Sequence, residues 1–562
     1  MAGTNAGTNA PPVPSSNGAV PTPATNPATN PATNPAPIAA PAVSEIEKSN
    51  APHIAPRIAI RTDKLHGTLS LRGAWLDDLT LSEYRQTLDE NAPPQTLLQK
   101  DWQVRFGWVS NDKTITLPDE NSLWQQVGGN VLTPTTPITI RHITPEDIVL
   151  VQHISINEDF MFSAELRIDN QSGRVITLYP FGQIMRRGEP ETSGLFVLHE
   201  GPIGFIGEQG LVELDYDDLL EERTINHNSV GGWVGITDKY WATVLIPPQE
   251  AEFSARFTGA FENGQPIFRS DYILPAQTLS PGASASSVNQ LFAGAKTVDA
   301  LDKYREGGIM RFDLLIDWGW FYFLTKPMFH ALQLIYNWVG NYGIAILLVT
   351  ISIKLIFFPL ANRSYETMAK MKKLQPRMVE IRETYKDDRS AQQQALMSLY
   401  RDEKLNPLAG CLPILLQIPV FFALYKVLFV TIDMRHQPFF GWLTDLSAPD
   451  PTSVFNLFGL LPYDVPSFLL VGVLPLLMGI TMYVQMQMNP PPPDPIQARL
   501  FQLMPIFFTF ILAGFPAGLV LYWTWNNFLS ILQQALIMRR SGVPIELAAN
   551  LGFNKQKPDD TK

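Results

Sequence analysis

"LLVTISIKLIFFPLANR", residues 347–363, is an apolar run of bilayer length that carries a lysine, Lys354, eight residues before Asn362. A helix rises 1.5 Å per residue, so this ammonium sits roughly 12 Å inside the boundary that Asn362 and Arg363 mark. A lysine stem covers part of that distance by snorkelling. Position alone therefore leaves two readings open, a lysine tolerated near one interface and a cation kept in a polar cavity. Both readings make this stretch a membrane helix, and the rest of the chain divides around it.

Apolar runs of this kind begin only after about residue 340 and recur at 342–361, 410–432, 466–486, 499–514 and 517–537. Each is tested against a hydrocarbon core about 30 Å thick. Five spans are expected, the last two joined as a hairpin by "GFPAG" (514–518). The loop 362–406 holds ten lysines and arginines, whereas 433–465 holds only Arg435. The first loop is expected in the cytoplasm, as is the tail 538–562 with Arg539, Arg540, Lys555, Lys557 and Lys562. Everything before residue 342 then lies outside. That export requires a leading signal, so a signal-anchor helix preceding residue 1 is expected. A cytoplasmic β-domain with a misleading charge bias is the competing topology.

The preceding region is of three kinds. Residues 1–56 are rich in Pro, Ala, Thr and Asn, repeat "ATNPATNPATNP" (24–35) and carry no charge before Glu45, the composition of a disordered tether. Residues 57–304 alternate with period two, as in Phe160, Phe162, Ala164, Leu166 and Ile168 before the turn "DNQSG" (169–173). An antiparallel β-sandwich is the economical reading. Residues 318–338, "WGWFYFLTKPMFHALQLIYNW", mix aromatics with Lys326, Pro327, His330 and Gln333, as expected of an amphipathic helix at the interface. A net charge of −11 argues against a general nucleic-acid binder. A single cysteine, Cys411, excludes a disulfide framework within the chain and a cysteine zinc cluster.

Further polar groups bear on Lys354. Thr350 lies one turn away on the same face, Gln417, Thr481 and Gln485 sit in other spans, and Asn526, Asn527, Ser530, Gln533 and Gln534 line one side of the last. Against lipid such groups are costly, so a shared hydrated cavity is the cheaper explanation. Pro359, Pro413, Pro419, Pro475 and Pro505 interrupt the same helices, through kinks that shape a groove or through packing adaptation. A cation in a groove open to cytoplasm and lipid suits an anionic or polar peptide segment waiting to cross. In the loop 363–404, Met371, Leu374, Met378, Ile381 and Tyr385 alternate spacings of three and four, and Leu396, Leu399 and Tyr400 follow "KDDRS" (386–390). A cytoplasmic helical hairpin is expected, with Met371, Met378 and Tyr385 as a partner surface.

The segments 341–378, 403–428, 442–451 ("WLTDLSAPDP") and 514–537 ("GFPAGLVLYWTWNNFLSILQQALI") occur in an order that resembles the YidC family of membrane-protein insertases. "SINEDF" (155–160) and "VGGWVGITDKYWATVLIP" (230–247) resemble the large periplasmic domain of its Gram-negative members. The resemblance implies a periplasmic β-supersandwich and a five-helix core of the bacterial inner membrane around a hydrophilic groove closed on the outer side. It implies a non-enzymatic function, insertion and folding of nascent membrane proteins, alone or with the Sec translocon, and contact with ribosomes. Lys354 stands where the family usually has a groove arginine, keeping the charge but losing the bidentate fork. Thr350 matches a family threonine, and Tyr522 and Trp523 match its aromatic pair. The short basic tail suits only a weak ribosome contact.

Three rivals remain. A transporter calls for an acidic partner or an inverted repeat among the spans, and neither is found. An enzyme calls for a catalytic constellation, and His153, His199 and Glu200 form none. A Sec-associated scaffold needs no cation in its groove. No cofactor or metal is expected.

Overall fold

The computed structural model describes residues 55–542 apart from 191, 193–197, 404–411, 459, 462, 464, 467–468 and 490–494. The expected tether lies outside these residues except for its last two positions, as does the tail beyond residue 542.

Alternating residues build two large sheets, one of eleven strands and one of nine. The strand Met161–Asn170 buries Ala164, Leu166 and Ile168 and pairs antiparallel with Ile148–Ile156 and Ser284–Ala295. Phe160, read as part of this strand, instead lies in the turn before it at φ 69°, its ring still buried. Buried polar side chains tie the sheets together. The Tyr272 hydroxyl donates to Asn289 Oδ1 (2.5 Å), Ser270 Oγ to the Gly235 carbonyl (3.0 Å) and Gln152 Nε2 to the Phe106 carbonyl (3.0 Å). Unpaired, each would incur the uncompensated desolvation cost of a buried polar group.

Short helices α1 (Tyr216–Glu222) and α2 (Val298–Glu306) belong to this domain, and Phe312 packs edge-on against Trp233 (centroids 5.7 Å), both fully buried. Helix α3 (Tyr322–Val339) follows. Its Lys326, read above as a mark of the interface, pairs with Asp302 (2.5 Å) and buried Asp313 (3.3 Å), and Tyr322 donates to Asp313 Oδ2 (2.6 Å). This polar knot fixes α3 to the β-domain. Trp320, Phe323, Leu334 and Trp338 remain exposed.

Helix α4 (Tyr342–Ile356) begins at an Asn341 cap whose side chain accepts from the Ile344 amide, and α5 (Phe358–Lys373) continues from it after a 69° bend. Residues 342–361 are therefore not one straight span. Pro359 supplies the cause, since it lacks an amide donor and its ring clashes with the carbonyl four residues earlier. Pro376 has the same effect at Leu374, separating α5 from α6 (Gln375–Thr384) and breaking the seam expected from Met371 to Tyr385. Helix α6 forms its hairpin with α7 (Arg389–Asp402), which is capped by Asp388 accepting from the Ser390 and Ala391 amides.

Helices α8 (Leu412–Val430), α9 (Val473–Met488), α10 (Pro495–Ala513) and α11 (Ala517–Arg540) complete the core. Within the run expected as a span from 466, helix α9 starts at Val473. There the Asp450 carboxylate accepts from the Leu474 amide (2.8 Å) and Thr452 Oγ1 from the Val473 amide (3.0 Å), so a neighbouring loop caps the helix late. Pro475 consequently falls in the first turn, where its missing donor costs nothing. No single helix among the described residues is long and apolar enough to cross a membrane by itself, and the bent pair α4–α5 passes that test only together. Helix α10 ends at Ala513 and α11 starts at Ala517. Both helices pack chiefly on α9, and a methyl at Gly479 would lie 2.0 Å from Thr509 Oγ1, which shows how closely α9 and α10 approach.

Candidate functional site

Helix α11 carries the polar face read from its sequence, and that face is turned inward: Tyr522, Asn526, Asn527, Ser530 and Gln534 are all buried. All but Asn526 find a side-chain partner outside α11. Lys354 Nζ on α4 donates to Ser530 Oγ (2.7 Å), and Ser530 donates in turn to the Asn526 carbonyl (2.8 Å). Gln417 on α8 donates to the Tyr522 hydroxyl, and Asn527 on α11 donates to Thr481 Oγ1 on α9 (3.4 Å). Toward the end of α11, Gln533 donates to Asn362 Oδ1 (3.1 Å) and Gln534 to Asn489 Oδ1 (3.1 Å).

Of the residues singled out from the sequence, Lys354, Gln417, Tyr522, Asn526 and Ser530 share this polar belt. Trp523 lies beside it, edge-on to Phe421 (4.7 Å) and near Phe508 (5.7 Å), an aromatic wall between α8 and α10. Thr350 is brought near but not into the belt. Its hydroxyl is buried and donates to the Ile346 carbonyl of its own helix (2.7 Å). Asn362, read as the boundary of a span, lies inside α5, and Asn489, the residue that ends α9, was missed. Spare capacity remains, since Asn526 Oδ1, Gln534 Oε1 and Trp525 Nε1 are buried without a hydrogen-bond partner among the described residues. Unmet acceptors beside an ammonium group make a site able to hold a polar chain segment.

The methionine surface is altered by burial. Met378 is enclosed between α6 and α7, its sulfur 3.8 Å from the Tyr400 hydroxyl, which removes it from an exposed partner face; Met371 is half-buried and Tyr385 exposed. In the β-domain, His199 is buried beside the Pro202 carbonyl (3.1 Å) and burial keeps its imidazole below the ordinary histidine range. Glu200 accepts from the Lys239 amide (3.0 Å) and His153 meets Thr139 Oγ1 (3.0 Å). These are scaffold contacts.

Known proteins resemble the chain along both parts of this architecture. The family described as "YidC periplasmic domain" matches residues 57–331 and that described as "60Kd inner membrane protein" matches residues 334–543. The membrane protein insertase YidC of Brucella suis biovar 1 (strain 1330) is 52% identical over 515 residues, covering 90% of this chain and 84% of that protein. The chain belongs to the YidC family of membrane protein insertases. Its counterpart from Sinorhizobium medicae (strain WSM419) is 51% identical over 502 residues, covering 88% of this chain and 84% of that one. A solved structure, described as an active YidC insertase crystal structure with the first transmembrane domain resolved, covers 85% of this chain and 94% of its own at 17% identity and a TM-score of 0.34. Membership in the YidC family makes the chain an insertase rather than an enzyme and places it among inner membrane proteins with a periplasmic domain.

Proposed function

We propose that the chain inserts nascent membrane proteins by lodging a polar client segment against the belt formed by Lys354, Gln417, Tyr522, Asn526 and Ser530, with Thr350 and Trp523 lining it, while the client's apolar segment enters lipid. The observation that carries this reading is the Lys354–Ser530 contact, which holds a cation against the polar face of α11. An ammonium in this position offsets the cost of bringing carboxylates or peptide carbonyls out of water.

The topology proposed with it is five spans, the β-domain and α3 at the outer face, and the basic helices α5–α7 and the C-terminal tail in the cytoplasm. Lys370, Lys372 and Lys373 close the last turn of α5, and Arg539 and Arg540 close α11, which supports that orientation. Work alongside the Sec translocon and a weak ribosome contact through the tail belong to the same proposal, drawn from the family resemblance. Met371 and Tyr385 remain its cytoplasmic partner surface.

The test is insertion of a small single-span protein with an acidic N-terminal tail into proteoliposomes containing the wild-type chain, Lys354→Ala or Lys354→Glu. Insertion falls with Ala and falls further with Glu if the cation captures the tail. Normal insertion by both variants sinks the electrostatic part of the proposal.

A further inference from the structure

Away from the polar belt, a cleft of about 570 Å³ lies between the β-domain stretch 83–90, the last turns of α3, the start of α4 and the turn after α8. Tyr336 and Tyr342 stack in it, with ring centroids 3.8 Å apart and planes 11° from parallel. Tyr84 and Asp433 complete its wall. Asp433 Oδ2 is shut from solvent and has no hydrogen-bond partner among the described residues.

A buried carboxylate oxygen without a donor is uncommon enough to need an occupant or a proton. Burial, and then the charge of Asp299, push the Asp433 carboxyl up to about 6, so it is still mostly ionised at neutral pH. The adjacent cation does not serve it. Arg435 donates to the Arg85 carbonyl (2.6 Å) and lies over the rings of Tyr240 (5.9 Å) and Trp241 (5.5 Å). Tyr84 feels the unbalanced charge, its phenol being held above the ordinary range by burial and then by Asp433.

A carboxylate lacking a counter-charge, set among tyrosine rings, is a composition that holds an ammonium group. The neighbouring surface of α3 indicates what carries that group, because Leu334 and Trp338, beside the cleft-lining Gln333 and Tyr336, are 72% and 83% exposed. We infer that this cleft binds the ammonium headgroup of an outer-leaflet phospholipid at Asp433, its acyl chains lying along Leu334 and Trp338. The inference rests on the membrane placement proposed above. Its consequence is a lipid wedged where the β-domain meets the helices.

The full chain in nanodiscs of equal phosphatidylethanolamine and phosphatidylglycerol, extracted and weighed intact by native mass spectrometry, tests this. Wild type is expected to retain phosphatidylethanolamine severalfold over phosphatidylglycerol. Asp433→Asn, which keeps the side-chain shape, and Tyr336→Leu, which removes the stacked ring, are each expected to bring the ratio to about one. An unchanged preference in both variants overturns the site. Retention of both lipids without preference in wild type overturns the headgroup assignment alone. No retained phospholipid of either kind overturns the membrane placement with it. If soluble phosphorylethanolamine protects wild type but not Asp433→Asn from unfolding while the lipid ratio stays at one, the lipid source is wrong.

Discussion

Lys354 and Ser530 lie 176 positions apart in the chain, and their side chains meet at 2.7 Å. That contact joins the first helix of the core to the last. Ser530 already donates to the Asn526 carbonyl, so it accepts from Lys354 with a lone pair fixed by its own helix. The lysine is thereby held in place, whereas a snorkelling side chain would be free to seek the interface.

The Gln417–Tyr522 contact makes a second link across the belt, from α8 to α11. Tyr522→Phe removes the hydroxyl but keeps the ring against Phe421. Thermal unfolding of the purified chain should show a loss of about 1 kcal/mol, the net worth of one such bond. Gln417→Ala should add little in the Phe background, because the two changes remove one interaction.

Pro359 sets the 69° bend between α4 and α5. In Pro359→Ala the missing amide returns and the helices should straighten. Spin labels at the exposed positions Ser352 and Glu366 would then separate toward about 21 Å between backbones, the rise of fourteen helical residues. An unchanged label distance would assign the bend to packing instead.

Lys296 is buried in the β-domain with its ammonium on Thr237 Oγ1 (2.8 Å), and burial lowers it to about 8. Lys239 is likewise lowered to about 8 by burial. A base whose folded value lies below its unfolded one is protonated more readily in the unfolded chain, so between about pH 8 and 10 stability rises with pH. Denaturation midpoints of the full chain should climb from pH 8 to 9.5. Lys296→Met should flatten part of that slope and leave the rest to Lys239.

Asp313 receives Tyr322 and Lys326 from α3. Burial opposes its charge, but the Tyr322 hydrogen bond and Lys326 outweigh it and hold the carboxyl below the usual range. Asp313→Ala should cost about 3 kcal/mol, as breaking one side of a buried pair does. Limited proteolysis should then cut between α2 and α3 well before the wild-type chain is touched.

How far the sequence discloses this molecule depends on where the deciding interaction lies. Ala164, Leu166 and Ile168 announce a strand because alternation is local, and the polar face of α11 is readable because helical periodicity is local. Lys354 is conspicuous as a cation in an apolar run, but nothing in residues 347–363 says that Ser530 receives it. Helix limits are less legible. The start of α9 depends on Asp450 and Thr452, some twenty residues away, and Pro376 breaks a seam whose spacing is otherwise regular. The partner of Thr350 is local, its hydroxyl donating to a carbonyl one turn back, and helical spacing from Lys354 does not disclose it. Met378 is lost as a partner residue because α7 folds over it.

The inward face of α11 also has a meaning in time. Lys354, Asn362, Gln417 and Thr481 are all synthesised before Asn527, Ser530 and Gln533, and each waits for the final helix to meet its mate. A half-made chain thus carries stranded polar groups among apolar helices, the condition that a membrane penalises most. Until Ala517–Arg540 leaves the ribosome those groups lack their mates, and chains truncated before Ala517 should be degraded in the cell where full-length ones persist.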